Sequence, residues 1–241
     1  MDAPSPQGPD RVIRLARFFS YPKQVIYLLV SFLALVSIVH YLSLVQKYIR
    51  ARRSSSTSRR KAGWAVRLPL AIVDSFRALL FRWSIPVPFG YSLNIAEVGL
   101  TLAYLAVLLT WTFVNTTTVT GIKVEPHYYA NRAGTIAASQ LPLITALGMR
   151  NNLVSWLTGV SYDKLNYLHR IGFRSLIILI WIHAGGRMTV GLLDDEALTS
   201  RWVQCGLLAA ISLVIMSILT LRPLRKLSYE VFLVIHFVFA L

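Results

Sequence analysis

A chain of 241 residues that is 55% hydrophobic, with a mean hydropathy of +0.56, is too apolar for an ordinary soluble domain. Its nearly charge-free apolar runs approach the twenty or so residues needed to cross a bilayer as a helix. Barrel strands would alternate apolar and polar residues, and these runs do not. The net charge of +15 would suit a nucleic-acid ligand, but the basic residues sit between the apolar runs, as the positive-inside rule requires. No nucleic-acid partner is expected; the partner is the lipid bilayer. The single cysteine, Cys205, excludes a disulfide framework and a thiolate metal site, and it reads as a small buried hydrophobe.

The fold class expected is therefore an all-α membrane protein, a bundle of about six transmembrane helices. Residues 1–24, with Pro4, Pro6 and Pro9 and then Arg11, Arg14, Arg17 and Lys23, read as an external N-terminal tail. Residues 25–46 form the first span. It is too long for a signal-peptide core, and no small-residue cleavage site fits. His40 lies alone in it and reads as a packed or lipid-interface histidine. Residues 47–92 are a basic cytosolic linker. Lys47, Arg50, Arg52, Arg53, Arg59, Arg60 and Lys61 surround Ser54-Ser-Ser-Thr-Ser58, and the mixed apolar and basic stretch 64–83 should lie along the inner membrane surface.

Residues 93–241 hold the remaining spans. The second, at 93–114, carries Glu97 and is followed by Asn115-Thr-Thr117, a glycosylation acceptor pattern that fits an external loop. His127, beside Pro126, reads as a solvated loop residue. A short third span covers 133–148, interrupted by Gln140 and Pro142. The fourth, 165–186, is followed by an external loop with Asp194-Asp-Glu196, and the fifth is 202–221. After the basic turn Leu221-Arg-Pro-Leu-Arg-Lys226 a sixth span begins at Ser228 and is still running at Leu241. About thirteen residues give roughly 20 Å of helix, short of a 30 Å core. The expectation is thus the N-terminal membrane portion of a longer protein, its last helix truncated. With the N-terminus outside, the internal segments hold 17 of the 25 Lys and Arg, which supports that orientation.

The chemistry lies in the fourth span. His169 and His183 are fourteen residues apart, so their imidazoles share one stripe of a helix about 21 Å apart along its axis. Their midpoint is Leu176, which places one histidine in each leaflet. Ionisable groups inside a span are functional by default. The fourth and sixth spans run in the same direction, so His236, about ten residues after the basic turn, falls at the depth of His169. Two such helices can hold one haem between them, with an axial imidazole from each. His183 then needs a partner near position 250. Arg170 and Arg174 flank the inner histidine and could snorkel to headgroups, pair with haem propionates, or do both. Gly172 could make room for the macrocycle or for a neighbouring helix. A proton relay would recruit intramembrane acids, and only Glu97 and Glu230 lie near any span. Zinc would need three or four ligands at one depth. Haem is favoured.

Several stretches resemble the ferric reductase-like transmembrane domain, in particular that of fungal ferric/cupric-chelate reductases. They are Gly90-Tyr-Ser-Leu93, Arg132-Ala-Gly-Thr135 to Gln140-Leu-Pro142, Asn151-Asn152, Leu157-Thr-Gly159, Leu165-Asn-Tyr-Leu-His-Arg170, Trp181-Ile-His-Ala-Gly185, Leu221-Arg-Pro-Leu-Arg225 and Tyr229-Glu-Val-Phe-Leu-Val-Ile-His236. The resemblance covers roughly residues 88–241. It implies two b-type haems, with His169 and His236 as iron ligands of the inner one and His183 as one ligand of the outer one. It also implies cytosolic FAD- and NADPH-binding domains elsewhere in the full-length protein, feeding electrons to ferric or cupric chelates outside. No Gly-rich dinucleotide fingerprint occurs in these 241 residues, so this chain alone is expected to be inactive with NADPH. The membrane implied is the plasma membrane, or the vacuolar one. Two alternatives stay open at this point: a superoxide-producing, NADPH-oxidase-like haem protein, and a non-redox transporter or scaffold.

Overall fold

The computed structural model describes residues 8–54, 64–87, 91–191 and 199–240. Within them the chain is almost wholly helical: α1 (Pro9–Ser54), α2 (Trp64–Arg82), α3 (Ile95–Phe113), α4 (Pro126–Gly148), α5 (Leu153–Thr158), α6 (Tyr162–Val190), α7 (Arg201–Leu219), α8 (Arg222–Leu227) and α9 (Tyr229–Ala240). The two strands β1 (Ser84–Val87) and β2 (Tyr91–Asn94) pair antiparallel, with Ser84 opposite Asn94 and Val87 opposite Tyr91. This strand pair is short, and the described residues remain all-α in class. The residues 1–7, the serine and basic tract at 55–61, Gly90, the acidic triplet 194–196 and Leu241 lie outside the described residues.

Three helices are long and apolar enough to cross a membrane, within Pro9–Arg52, Ile95–Phe113 and Arg201–Leu219; Tyr229–Phe239 is a shorter apolar helix. They turn large apolar side chains outward: Leu35 is 60% exposed, Leu102 61% and Leu208 64%. A soluble protein does not present such continuous apolar surface; lipid covers it here. Cys205 faces outward on α7 as well. The expectation of a buried thiol fails because α7 packs on its neighbours along only a narrow face.

Helices α4 and α6 are as long but carry more polar residues, and they form the centre of the bundle. The buried cluster Val25, Leu108, Ile136, Ala137, Ile144, Leu176 and Leu179 joins α1, α3, α4 and α6. Close packing of α4 on α6 relies on small residues, as in many membrane helix pairs. A Cβ at Gly172 would stand 2.9 Å from Cγ1 of Ile144, and one at Gly186 would stand 2.8 Å from Cβ of Ala130. Gly172 thus makes room for a helix. Buried hydroxyls are satisfied within their own helices, Thr112 donating to the Leu108 carbonyl at 2.8 Å and Ser175 to that of Ile171 at 2.9 Å. Gln140 accepts from the Tyr104 hydroxyl at 3.1 Å. Such pairing is obligatory where no water reaches.

The N-terminal residues depart most from expectation. Helix α1 begins at Pro9 and runs through Pro22 without interruption, so 9–24 is helix where a tail was expected. A sequence with Pro22 and four basic residues gives no local signal for this; the contacts that fix it are tertiary. Asp10 accepts from the Val119 amide at 3.0 Å and from the Tyr128 hydroxyl. Arg17 lies over the Tyr128 ring and donates to the Asn115 carbonyl. The Asn115 amide donates to the Tyr21 hydroxyl at 2.9 Å, and Trp111 donates to Gln24 at 3.0 Å. These contacts strap the first four turns of α1 to the ends of α3 and α4. His127 likewise is in the first turn of α4, where its Nδ1 lies 2.7 Å from Glu125 Oε1.

Beneath this strap, Arg132 is 1% exposed. Its Nη1 donates to the carbonyls of Trp111, Thr112 and Val114 at 3.3, 3.3 and 2.6 Å, capping the C-terminal, negative end of α3. Its guanidinium sits 4.3 Å from the Tyr21 ring centre. Charged hydrogen bonds are worth about 1.5–3 kcal/mol each, and a desolvated cation–π contact adds about 2 kcal/mol.

Arg132→Ala should therefore lower the thermal midpoint of the purified protein by several degrees and loosen α1 from α3; an unchanged midpoint contradicts the capping role. A second outcome concerns pH. The Tyr128 hydroxyl, and then the Val119 amide, hold the Asp10 carboxyl below its usual range. A carboxyl so depressed stabilises the strap above its unfolded value of about 3.9, and that contribution is lost as pH falls through the folded value. Amide exchange of residues 9–24, relative to its intrinsic rate at each pH, should accelerate on acidification below about pH 4 in the wild type. In Asp10→Asn it should already be fast at neutral pH; equal protection in the two proteins contradicts the strap.

Candidate functional site

Each of the histidines singled out in the sequence sits where helix geometry and a neighbouring helix together fix it. Helix α6 starts after Ser161, gains an acid, Asp163, in its first turn, and ends at Gly191 in a positive-φ conformation. Over its 29 residues it rises about 43 Å, more than enough to carry two sites. His169 is its eighth residue, and His236 is the eighth residue of α9. The two rings are 6.2 Å apart between centroids, with planes inclined at 64°. The structure therefore brings together His169 and His236, which are 67 positions apart in the chain. Phe232 and Phe237 flank the His236 ring, at 5.4 and 6.4 Å.

His183 is one long step further along α6, and it repeats the surroundings of His169. Nδ1 of His169 is 2.7 Å from the Ile144 carbonyl, and Nδ1 of His183 is 2.8 Å from the Ala130 carbonyl. Ile144 and Ala130 are themselves fourteen residues apart on α4. The two helices are antiparallel in fixed register, so one contact is regenerated at the other. A carbonyl can only accept, hence Nδ1 carries the proton in both rings, and Nε2 keeps its lone pair. Backbone carbonyls that accept from the far ring nitrogen orient metal-ligating histidines in this way. His236 has no such anchor: its Nδ1 is buried without a hydrogen-bond partner among the described residues.

Of the two arginines that follow His169, Arg170 is half-buried and directs Nε to the Asn166 carbonyl at 3.3 Å, and Arg174 is exposed. His40 stands apart. Its ring packs over Gly159, the left-handed cap of α5 at φ +67°, where a Cβ would come within 2.1 Å of the imidazole. Among the described residues no three His, Cys, Asp or Glu side chains converge as a closed metal site, and such a site is what structural zinc needs. The arrangement suits a metal that takes one imidazole from each side.

Sequence reasoning had no access to the two carbonyl anchors, because main-chain groups leave no mark in composition. It also passed over Arg132, quoted within a motif but given no role.

Comparison with known proteins follows the same lines. Residues 133–241 match the family described as the ferric reductase like transmembrane component. The chain is 28% identical to the probable cell surface ferric reductase kap2 of Aspergillus oryzae over 204 residues, 76% of this chain and 26% of that protein. It is 27% identical to ferric/cupric reductase transmembrane component 7 of Saccharomyces cerevisiae over 45% of this chain and 19% of the relative. It is 28% identical to ferric reductase transmembrane component 3 of the same yeast, over 46% and 16%. The chain thus spans about a quarter or less of the length of these relatives. No solved structure gives a significant match.

The tautomers are directly measurable. Nitrogen-15 spectra of histidine-labelled, cofactor-free protein at neutral pH should show His169 and His183 protonated at Nδ1 and bare at Nε2. Nε2-protonated rings contradict the carbonyl anchors.

Proposed function

From the match of residues 133–241 to the ferric reductase like transmembrane component family, we propose that this chain is the membrane electron conduit of a reductase acting on ferric or cupric chelates. The carrying observation is the His169–His236 pair. Two imidazoles bound to one metal through bonds of about 2 Å have ring centres about 6 Å apart, and the observed separation is 6.2 Å. Together with the Nδ1 anchor that leaves Nε2 of His169 available, this supports an inner b-type haem held by His169 and His236. His183, equally anchored, would be one ligand of an outer haem, with the second supplied from outside these 241 residues.

When bound, each haem carries one electron at a time, at a potential set by its axial ligands and surroundings. The chain's own part is to hold and insulate. Helix α6 would hold its two ligands about 21 Å apart along one axis, one towards each membrane face. The Leu176 and Leu179 side chains between them are buried in the α4–α6 contact, which keeps water from the interval. Arg170 and Arg174 lie just past the inner histidine and would pair with carboxylates at the rim of the inner group. Electrons would come from NADPH through FAD on cytosolic domains of the full-length protein. The acceptor would be reduced on the outer face, at the plasma membrane or a vacuolar one.

In the full-length protein, His169→Ala and His236→Ala should remove the same spectral component and halve haem per polypeptide. His183→Ala should remove the other component, and all three should abolish external Fe(III) reduction. Full haem occupancy with wild-type iron reduction in the three variants contradicts this function.

A further inference from the structure

The α4 side of each histidine station holds a second repeated feature. A Cβ placed at Gly148 would stand 2.9 Å from Nδ1, 3.0 Å from Cε1 and 3.4 Å from Cγ of His169. A Cβ placed at Gly134 would stand 2.9 Å from Nδ1 and 3.1 Å from both Cε1 and Cγ of His183. Real side chains do not tolerate a contact under 3.0 Å, so something must shift. The two glycines are fourteen residues apart, matching the histidine interval, and each lies four residues after the carbonyl that anchors the same ring. Carbonyl and glycine thus form one seat, used twice: one atom accepts the Nδ1 proton, and a missing side chain admits the ring.

Neither imidazole is free to yield. Each is tied through Nδ1 at 2.7 or 2.8 Å, so a ring pushed aside by a methyl group would leave its acceptor. The orientation of Nε2 would change with it. The glycines of α6 behave differently. Gly172 and Gly186 meet Ile144, Tyr129 and Ala130 of the facing helix, and Gly185 meets nothing within 4 Å. Helix packing accounts for the first two and leaves Gly134 and Gly148 to the rings.

We propose that Gly134 and Gly148 are positioning residues, through which α4, although it supplies no ligand, sets the tautomer and ring orientation of both haem-ligating histidines of α6. This rests on the haem reading above. Alanine is the better helix former, so a loss on Gly→Ala runs against propensity and reports the ring contact.

The test uses the full-length protein and a potentiometric titration of its haem bands, alongside the low-temperature resonance spectrum of the oxidised protein. Gly148→Ala should move the potential and line shape, or lower the occupancy at least two-fold, of only the component that His169→Ala removes. Gly134→Ala should do so for only the component that His183→Ala removes. Gly185→Ala should leave both components at wild-type values. If Gly148→Ala fails to accumulate, adding His169→Gly removes the clashing ring and should restore accumulation. Failure of that rescue, wild-type spectra in both glycine variants, or equal disturbance of both components by either one overturns the proposal. Retention of both components in His169→Ala and His183→Ala would instead overturn the haem reading itself.

Discussion

The hydrogen bond from each α6 imidazole to an α4 carbonyl is the constraint on which the rest of the structure depends. A neutral histidine inside a bilayer must place its N–H somewhere, since no water is available and an unmet donor costs several kcal/mol. Backbone carbonyls have a second lone pair beyond the one used in the helix, and α4 presents those of Ala130 and Ile144 at the needed interval. Two such bonds fourteen residues apart fix both the rotation of α6 about its axis and its register along α4. Gly172 and Gly186, pressed against Ile144 and Ala130, let the helices come close enough for both bonds to form.

From that pair the remaining helices fall into place by burial. Helices α1 and α3 pack onto the α4–α6 pair through Val25, Leu108 and Ile136, and Arg132 ties the end of α3 to Tyr21 of α1. The outward faces of α1, α3 and α7 are apolar enough for lipid alone to cover them. Helix α9 then stands beside His169 rather than His183, which pairs the first imidazole with His236 and leaves the second single among the described residues.

Much of this is legible in the sequence where physics writes on side chains. Spans declare themselves through apolar runs, and the 14-residue histidine interval declares a shared helical face. The eighth-residue positions of His169 and His236 follow from where their helices begin. What stays hidden depends on partners far away in the chain. The helix over residues 9–24 is held by Val119, Tyr128 and Asn115, about a hundred positions distant, and its own proline and arginines argue for a tail. The strand pair Ser84–Val87 and Tyr91–Asn94 hides behind Pro86, which commonly marks an edge strand. The carbonyl anchors are invisible in principle, yet a trace was present: Gly134 and Gly148 repeat the histidine interval on the neighbouring span. A search for equal intervals on adjacent antiparallel spans would have found them.

Two redox centres at opposite depths of one helix, about 20 Å apart, is the central claim, and the most direct measurement is that distance. Pulsed dipolar resonance between the two oxidised, paramagnetic centres of the full-length protein should return a separation near 20 Å. A single centre, or two centres closer than about 10 Å, would contradict the account.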